Sequence, residues 1–87
     1  MTVLFEQSFL KSIKKLKNKK LEKKVERIID LLKAAKYLKD IPSLKKLKGT
    51  DNIYRIRIGD YRMLFEKQGN QVIILLVVAH RKEIYKK

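Results

Sequence analysis

The chain has 87 residues, 45% of them hydrophobic, no Cys, and a formal net charge of +14 from 23 Lys and Arg against 9 Asp and Glu. That length holds one domain, residues 1–87, with one small core, and the lack of Cys excludes a disulfide framework and any Cys-based metal site or nucleophile. The charge points to a polyanion as partner, nucleic acid ahead of an anionic membrane surface; without a secretory signal or an apolar run longer than Val72 to Ala79, a soluble, cytoplasmic protein is expected.

Thr2 to Phe5 (TVLF) reads as a short strand. From about Glu6 to Lys17 the apolar residues Phe9, Leu10, Ile13 and Leu16 recur at a spacing of three to four, which predicts an amphipathic helix. Asn18 and Lys19 break it. A second helix is predicted from about Lys20 to Lys36, striped by Leu21, Val25, Ile28, Ile29 and Leu32, so the two should form an antiparallel hairpin. Residues 11–48 carry fifteen basic side chains against four acidic ones, an imbalance larger than a solvated helix face requires.

Tyr37 to Asn52, with Pro42 and Gly49, reads as a connector with one helical turn at Ser43 to Leu47. Beyond it the hydrophobic period changes to two. Ile53–Ile58 and Tyr61–Lys67 are predicted strands joined by the hairpin signal Gly59-Asp60, and Gln68-Gly69-Asn70 marks another turn. Gln71 to Ala79 (QVIILLVVA) has the composition of an interior strand covered on both faces. The expected fold is α+β, in the order β-α-α-β-β-β, with the helical hairpin packed on a small, mainly antiparallel sheet.

A two-residue loop at Gly59-Asp60 places Arg57 directly opposite Arg62 and puts Arg55 on the same face, while Tyr54, Ile56, Ile58, Tyr61, Met63 and Phe65 take the other. Like charges opposed across a ladder are destabilising, so a face bearing three arginines suits an anionic ligand. A further two-residue loop at Gly69-Asn70 sets Arg62 opposite Val77 and, if the strand runs on that far, brings Arg81 to the same surface, with His80 and Tyr85 at its rim; a loop one residue longer flips this assignment. On this reading, truncating Arg62 or Arg81 should cost little stability.

With one His and no acids at ligand spacing, a metal site is not expected, and no cofactor is. Ser8, Ser12 and Ser43 sit on no nucleophile elbow, and the three glycines are isolated turn residues. RNA cleavage needs neither metal nor protein nucleophile, because the ribose 2′-OH can attack its own phosphate. The protein then has to align that hydroxyl, move two protons and offset charge. Arginine suits the last task; His80 and Tyr85 are the candidates for moving protons.

The segments LKG (Leu47 to Gly49), YRIRIGDYRMLF (Tyr54 to Phe65) and VVAHRKEIY (Val77 to Tyr85) resemble the RelE branch of the RelE/ParE toxin superfamily, over nearly the whole chain. The resemblance implies a type II toxin that cleaves mRNA in the ribosomal A site through a 2′,3′-cyclic phosphate and is neutralised by a cognate antitoxin. By motif match, Arg62, Arg81 and Tyr85 are its catalytic residues, with His80 as a rival for proton transfer. Arg55 and Arg57, joined by Lys48 and Lys82, are its RNA-binding residues. The chain has Arg-x-Arg where the best-known member has lysines, and a shorter segment between Arg81 and Tyr85.

Two other classes are compatible with the charge. A ParE-like toxin shares the fold but inhibits DNA gyrase, and retention of Arg62, Arg81 and Tyr85 together favours the nuclease over it. A non-catalytic nucleic-acid-binding module leaves the terminal HRKEIY unexplained. The nuclease requires mRNA, the ribosome and an antitoxin as partners; an acidic or amphipathic antitoxin segment is expected to cover the arginine face or displace the C-terminal tail.

Overall fold

The computed structural model describes residues 1–84. β1 (Thr2–Phe5) leads into α1 (Gln7–Leu16) and α2 (Lys19–Ala34). A short 3-10 turn (Leu38–Asp40) precedes β2 (Leu44–Lys46), β3 (Ile53–Ile58), β4 (Tyr61–Lys67), β5 (Val72–His80) and a last helical turn, α3 (Arg81–Ile84). The α+β class and the mainly antiparallel sheet agree with the sequence reading, with three elements added: the 3-10 turn, β2 and α3. Ser43 to Leu47 is not helical: Leu44–Lys46 pairs antiparallel with β3, putting Lys45 opposite Arg55. The residues after His80 turn into α3 rather than continuing the strand.

The strand order is β1-β5-β4-β3-β2, with β1 parallel to β5 and every other pairing antiparallel. The chain thus crosses from one edge of the sheet to the other by way of the helices. Both edge strands are short, and β2 carries Lys45 and Lys46, features that blunt edge-to-edge association. α1 packs on β5, and α2 reaches β1 and β3. Phe9, Leu21, Val25 and Leu32 from the helices meet Ile56, Ile58, Met63, Phe65, Ile73, Leu75 and Val78 from one face of the sheet. Of the predicted helix stripes, Ile13, Leu16, Ile28 and Ile29 pack at the margin of this core, whereas Leu10 is 51% exposed.

The helix ends are explicit. Lys17 closes α1 in the left-handed conformation, φ 47°, and Asn18 caps α2 by accepting from the Leu21 N–H at 3.1 Å. The α-amino group of Met1 donates to the carbonyls of Leu32, Lys33 and Ala35, supplying donors where α2 runs out of its own. Gly59 has φ 59° as the first central residue of a two-residue loop, the place where a type II′ hairpin turn favours Gly.

β5 contains a bulge. Phe65 pairs with Leu75 but Leu64 with Val77, leaving Leu76 without a partner on β4. At the same point β5 runs on past the end of β1, and α1 covers the open backbone: Ser8 Oγ donates to the Leu76 carbonyl (2.7 Å), and Ser12 Oγ accepts from the Val78 N–H (3.0 Å). Two serines one helical turn apart thereby satisfy groups that the ladder drops.

Candidate nucleic-acid interface

Alternation along β3 and β4 separates the sheet into two chemistries. Ile56, Ile58, Met63 and Phe65 are buried under the helices, and Arg55, Arg57, Arg62 and Leu64 take the opposite face. The ladder pairs Arg57 with Arg62 and Arg55 with Leu64, as the hairpin signal predicts. On β5 the register departs from expectation: Arg62 lies opposite Ala79, not Val77. A turn one residue longer and the bulge at Leu76 each shift the pairing by one, and two such shifts restore the original facing. Val77 and Ala79 therefore stay on the arginine side.

A groove of about 550 Å³ crosses this face, lined by Lys45, Lys46, Leu47, Lys48, Arg55, Leu64 and Ile84. Lys48 and Arg55 were expected at an anion-binding surface. Lys45 lies outside that expectation, because Ser43 to Leu47 reads as a helical turn; a three-residue strand after Pro42 offers almost no period to detect. Leu64 and Ile84 give the groove an apolar side on which a base can rest, beside cations suited to phosphate.

The second basic region lies at the β3–β4 hairpin. Arg57 is exposed, and Arg81 starts α3 beside the loop, where its N–H donates to the Asp60 carbonyl at 2.8 Å. Its Nε stands 3.9 Å from Asp60 Oδ1, an exposed and weak ion pair. Arg62 differs from the expectation of an open side chain: it is only 7% exposed. Its Nη1 donates to the carbonyls of Gly59 (2.8 Å) and Tyr61 (2.9 Å), so the guanidinium folds back onto its own turn. Among the described residues, Arg62 Nε is a buried side-chain polar atom without a hydrogen-bond partner. The expectation that Arg62 can be truncated at little cost is therefore corrected, since the side chain holds the hairpin end.

His80 is not brought to the arginines. It pairs with Tyr61 on the ladder and so faces the helices, its ring edge-on to Tyr61 with centroids 5.4 Å apart. With Ser12, Lys15, Leu16 and Glu83 it lines a separate pocket of about 340 Å³ on the far side of the sheet. A catalytic role for His80 in proton transfer at the arginine face is thus opposed by strand alternation. Lys82 is exposed on α3, and Tyr85 lies outside the described residues. Among the described residues no three His, Cys, Asp or Glu converge in a metal-binding group, and no helix is long and apolar enough to cross a membrane.

Comparison with known proteins follows the same lines. A family model described as the ParE toxin of type II toxin–antitoxin systems (parDE) matches residues 3–85. The chain is similar to toxin RelE3 of Methanocaldococcus jannaschii, 38% identical over 98% of this chain and 96% of that one. It superimposes on a RelB–RelE antitoxin–toxin complex from Methanococcus jannaschii with a TM-score of 0.82, 36% identity and 94% coverage of both chains. An archaeal RelE–RelB complex from Pyrococcus horikoshii OT3 gives a TM-score of 0.73, 25% identity, and coverage of 92% and 93%.

Proposed function

The chain belongs to the RelE/ParE superfamily of type II toxin–antitoxin toxins, and from that premise we propose that it is a metal-independent endoribonuclease that cleaves mRNA on the ribosome. The single observation that carries this reading is the sheet face itself. Arg55 and Lys48 line a groove with an apolar side, and Arg57 and Arg81 stand exposed near the hairpin beside it.

In this reading the RNA backbone follows the groove, held by Lys45, Lys48, Arg55 and Arg57. Arg81 binds the non-bridging oxygens of the scissile phosphate, and Arg62 adds its charge from beneath. The ribose 2′ oxygen attacks phosphorus, its proton passing to Tyr85 as the phenolate, the form that neighbouring arginines favour. The bond to the 5′ oxygen breaks, that oxygen is protonated from water, and a 2′,3′-cyclic phosphate remains. Tyr85 is preferred to His80 as proton acceptor because His80 faces the helices. Lys82 is a peripheral contact to the RNA. The relatives' complexes with RelB support a cognate antitoxin as partner, acting in the cytoplasm by masking this face or displacing the segment beyond α3.

The description of the matching family as ParE favours a second reading, inhibition of DNA gyrase. Inducible expression in a bacterium, with primer extension on a translated reporter mRNA, separates the two. Growth arrest with new 5′ ends inside codons, absent for Arg81→Ala, supports the nuclease. Growth arrest with intact mRNA transfers the assignment to gyrase.

A further inference from the structure

α3 is described over Arg81–Ile84, directly after β5. Its first N–H groups cannot be satisfied within the helix, and the structure gives two of them partners. The N–H of Arg81 donates to the Asp60 carbonyl at 2.8 Å. The N–H of Lys82 donates to Nδ1 of His80 at 3.2 Å. A side-chain acceptor just before a helix, reaching its second N–H, occupies the place of an N-cap, a role usually filled by Ser, Asp or Asn.

We propose that His80 is a positioning residue: through an unprotonated Nδ1 it caps α3, and so fixes Arg81 and the start of the segment that runs on to Tyr85. This rests on the ribonuclease reading above. It gives His80 a task that its place on the helix side of the sheet permits, where proton transfer at the arginine face is opposed.

The proposal fixes a tautomer and a sign. Nδ1 accepts only when unprotonated, so the neutral ring carries its proton on Nε2. The imidazolium has no acceptor, so protonation of the ring and the cap exclude each other. The groups lining the ring's pocket are Lys15 and Ser12 of α1, Tyr61 of β4 and Glu83 of α3, with Lys82 the capped residue itself. Lys15 and Glu83 are the charged groups that face the ring, and the direction of the dependence is set by the cap.

Asparagine discriminates between the roles, because its side-chain oxygen caps a helix but neither titrates nor transfers protons. The experiment compares wild type, His80→Asn and His80→Ala between about pH 5 and 8. It reads amide hydrogen exchange at Lys82, corrected for intrinsic rate, and cleavage of mRNA bound to ribosomes. Wild type should lose Lys82 protection and cleavage together as pH falls, and His80→Asn should keep both within about twofold across the range. His80→Ala should lower Lys82 protection about fivefold at the upper pH, as loss of a cap implies, and reduce cleavage with it. Cleavage abolished in His80→Asn as in Arg81→Ala would assign proton transfer to His80 and overturn the proposal. Unchanged Lys82 protection in His80→Ala would overturn it as well. If His80→Ala does not fold, wild type against His80→Asn carries the comparison. If wild type cleaves no RNA at any pH, the ribonuclease reading fails, and Lys82 protection alone decides whether the cap exists.

Discussion

Arg57 and Arg62 are direct cross-strand partners, yet Arg57 is exposed while Arg62 is 7% exposed and bonded to the carbonyls of Gly59 and Tyr61. Two cations opposed on a ladder should repel. The conflict is relieved by turning one of them down onto the hairpin, where backbone oxygens take its charge.

Arg62 and Arg81 should therefore differ sharply in their contribution to stability, although the sequence pattern treats them alike. Arg62→Ala removes two charge-assisted hydrogen bonds at a buried site and should cost about 1.5–3 kcal/mol. For a domain of this size each kcal/mol moves Tm by about 4–8 °C. Arg81→Ala removes an exposed contact of 3.9 Å to Asp60 and should change stability by less than about 1 kcal/mol. Thermal melts of the two variants, run side by side, check this; equal Tm values would show that Arg62 is not held as described.

The serines of α1 support a second contrast. Ser12 Oγ donates to the Phe9 carbonyl and accepts from the Val78 N–H, and both bonds are partly buried. Ser12→Ala leaves the Val78 N–H without an acceptor next to the bulge and should cost about 1–2 kcal/mol. Ser8 is exposed, so water can replace its bond to the Leu76 carbonyl, and Ser8→Ala should cost about 0.5 kcal/mol or less. Denaturant unfolding measures both, and a larger loss for Ser8→Ala would mean that the edge of β5 is sealed differently.

How much was legible beforehand depends on the signal each element carries. The Gly59-Asp60 loop fixed the Arg57–Arg62 pairing, because a two-residue turn leaves one register. The apolar stripes of α1 and α2 were likewise readable from spacing. β2 was not, since three residues span one and a half periods of a strand. The bulge left no trace in QVIILLVVA, where every residue after Gln71 is apolar and either facing is plausible. The candidate site was legible in the shared facing of Arg55, Arg57 and Arg62, which alternation along β3 and β4 sets. It was not legible in its depth: no sequence pattern says that Arg62 is buried or that His80 faces the helices.

The groove itself can be tested through salt. If Lys45, Lys48 and Arg55 each neutralise an RNA phosphate, the affinity for single-stranded RNA should fall with rising salt, with a slope of roughly 0.7 per contact. Removing one contact should lower that slope by about that amount and weaken binding alike for all sequences. Lys45→Ala and Arg55→Ala should each do so, being direct partners across β2 and β3 that line one groove. Lys15→Ala should not, because Lys15 lines the pocket on the far side of the sheet. It removes the same charge from the molecule as Lys45→Ala, so a change in net charge alone would affect the two equally. Fluorescence anisotropy of a labelled oligonucleotide over a salt series makes the comparison. Matching slopes for Lys15→Ala and Lys45→Ala would mean that RNA is held by the overall field of the protein, and that the arginine face is no preferred track.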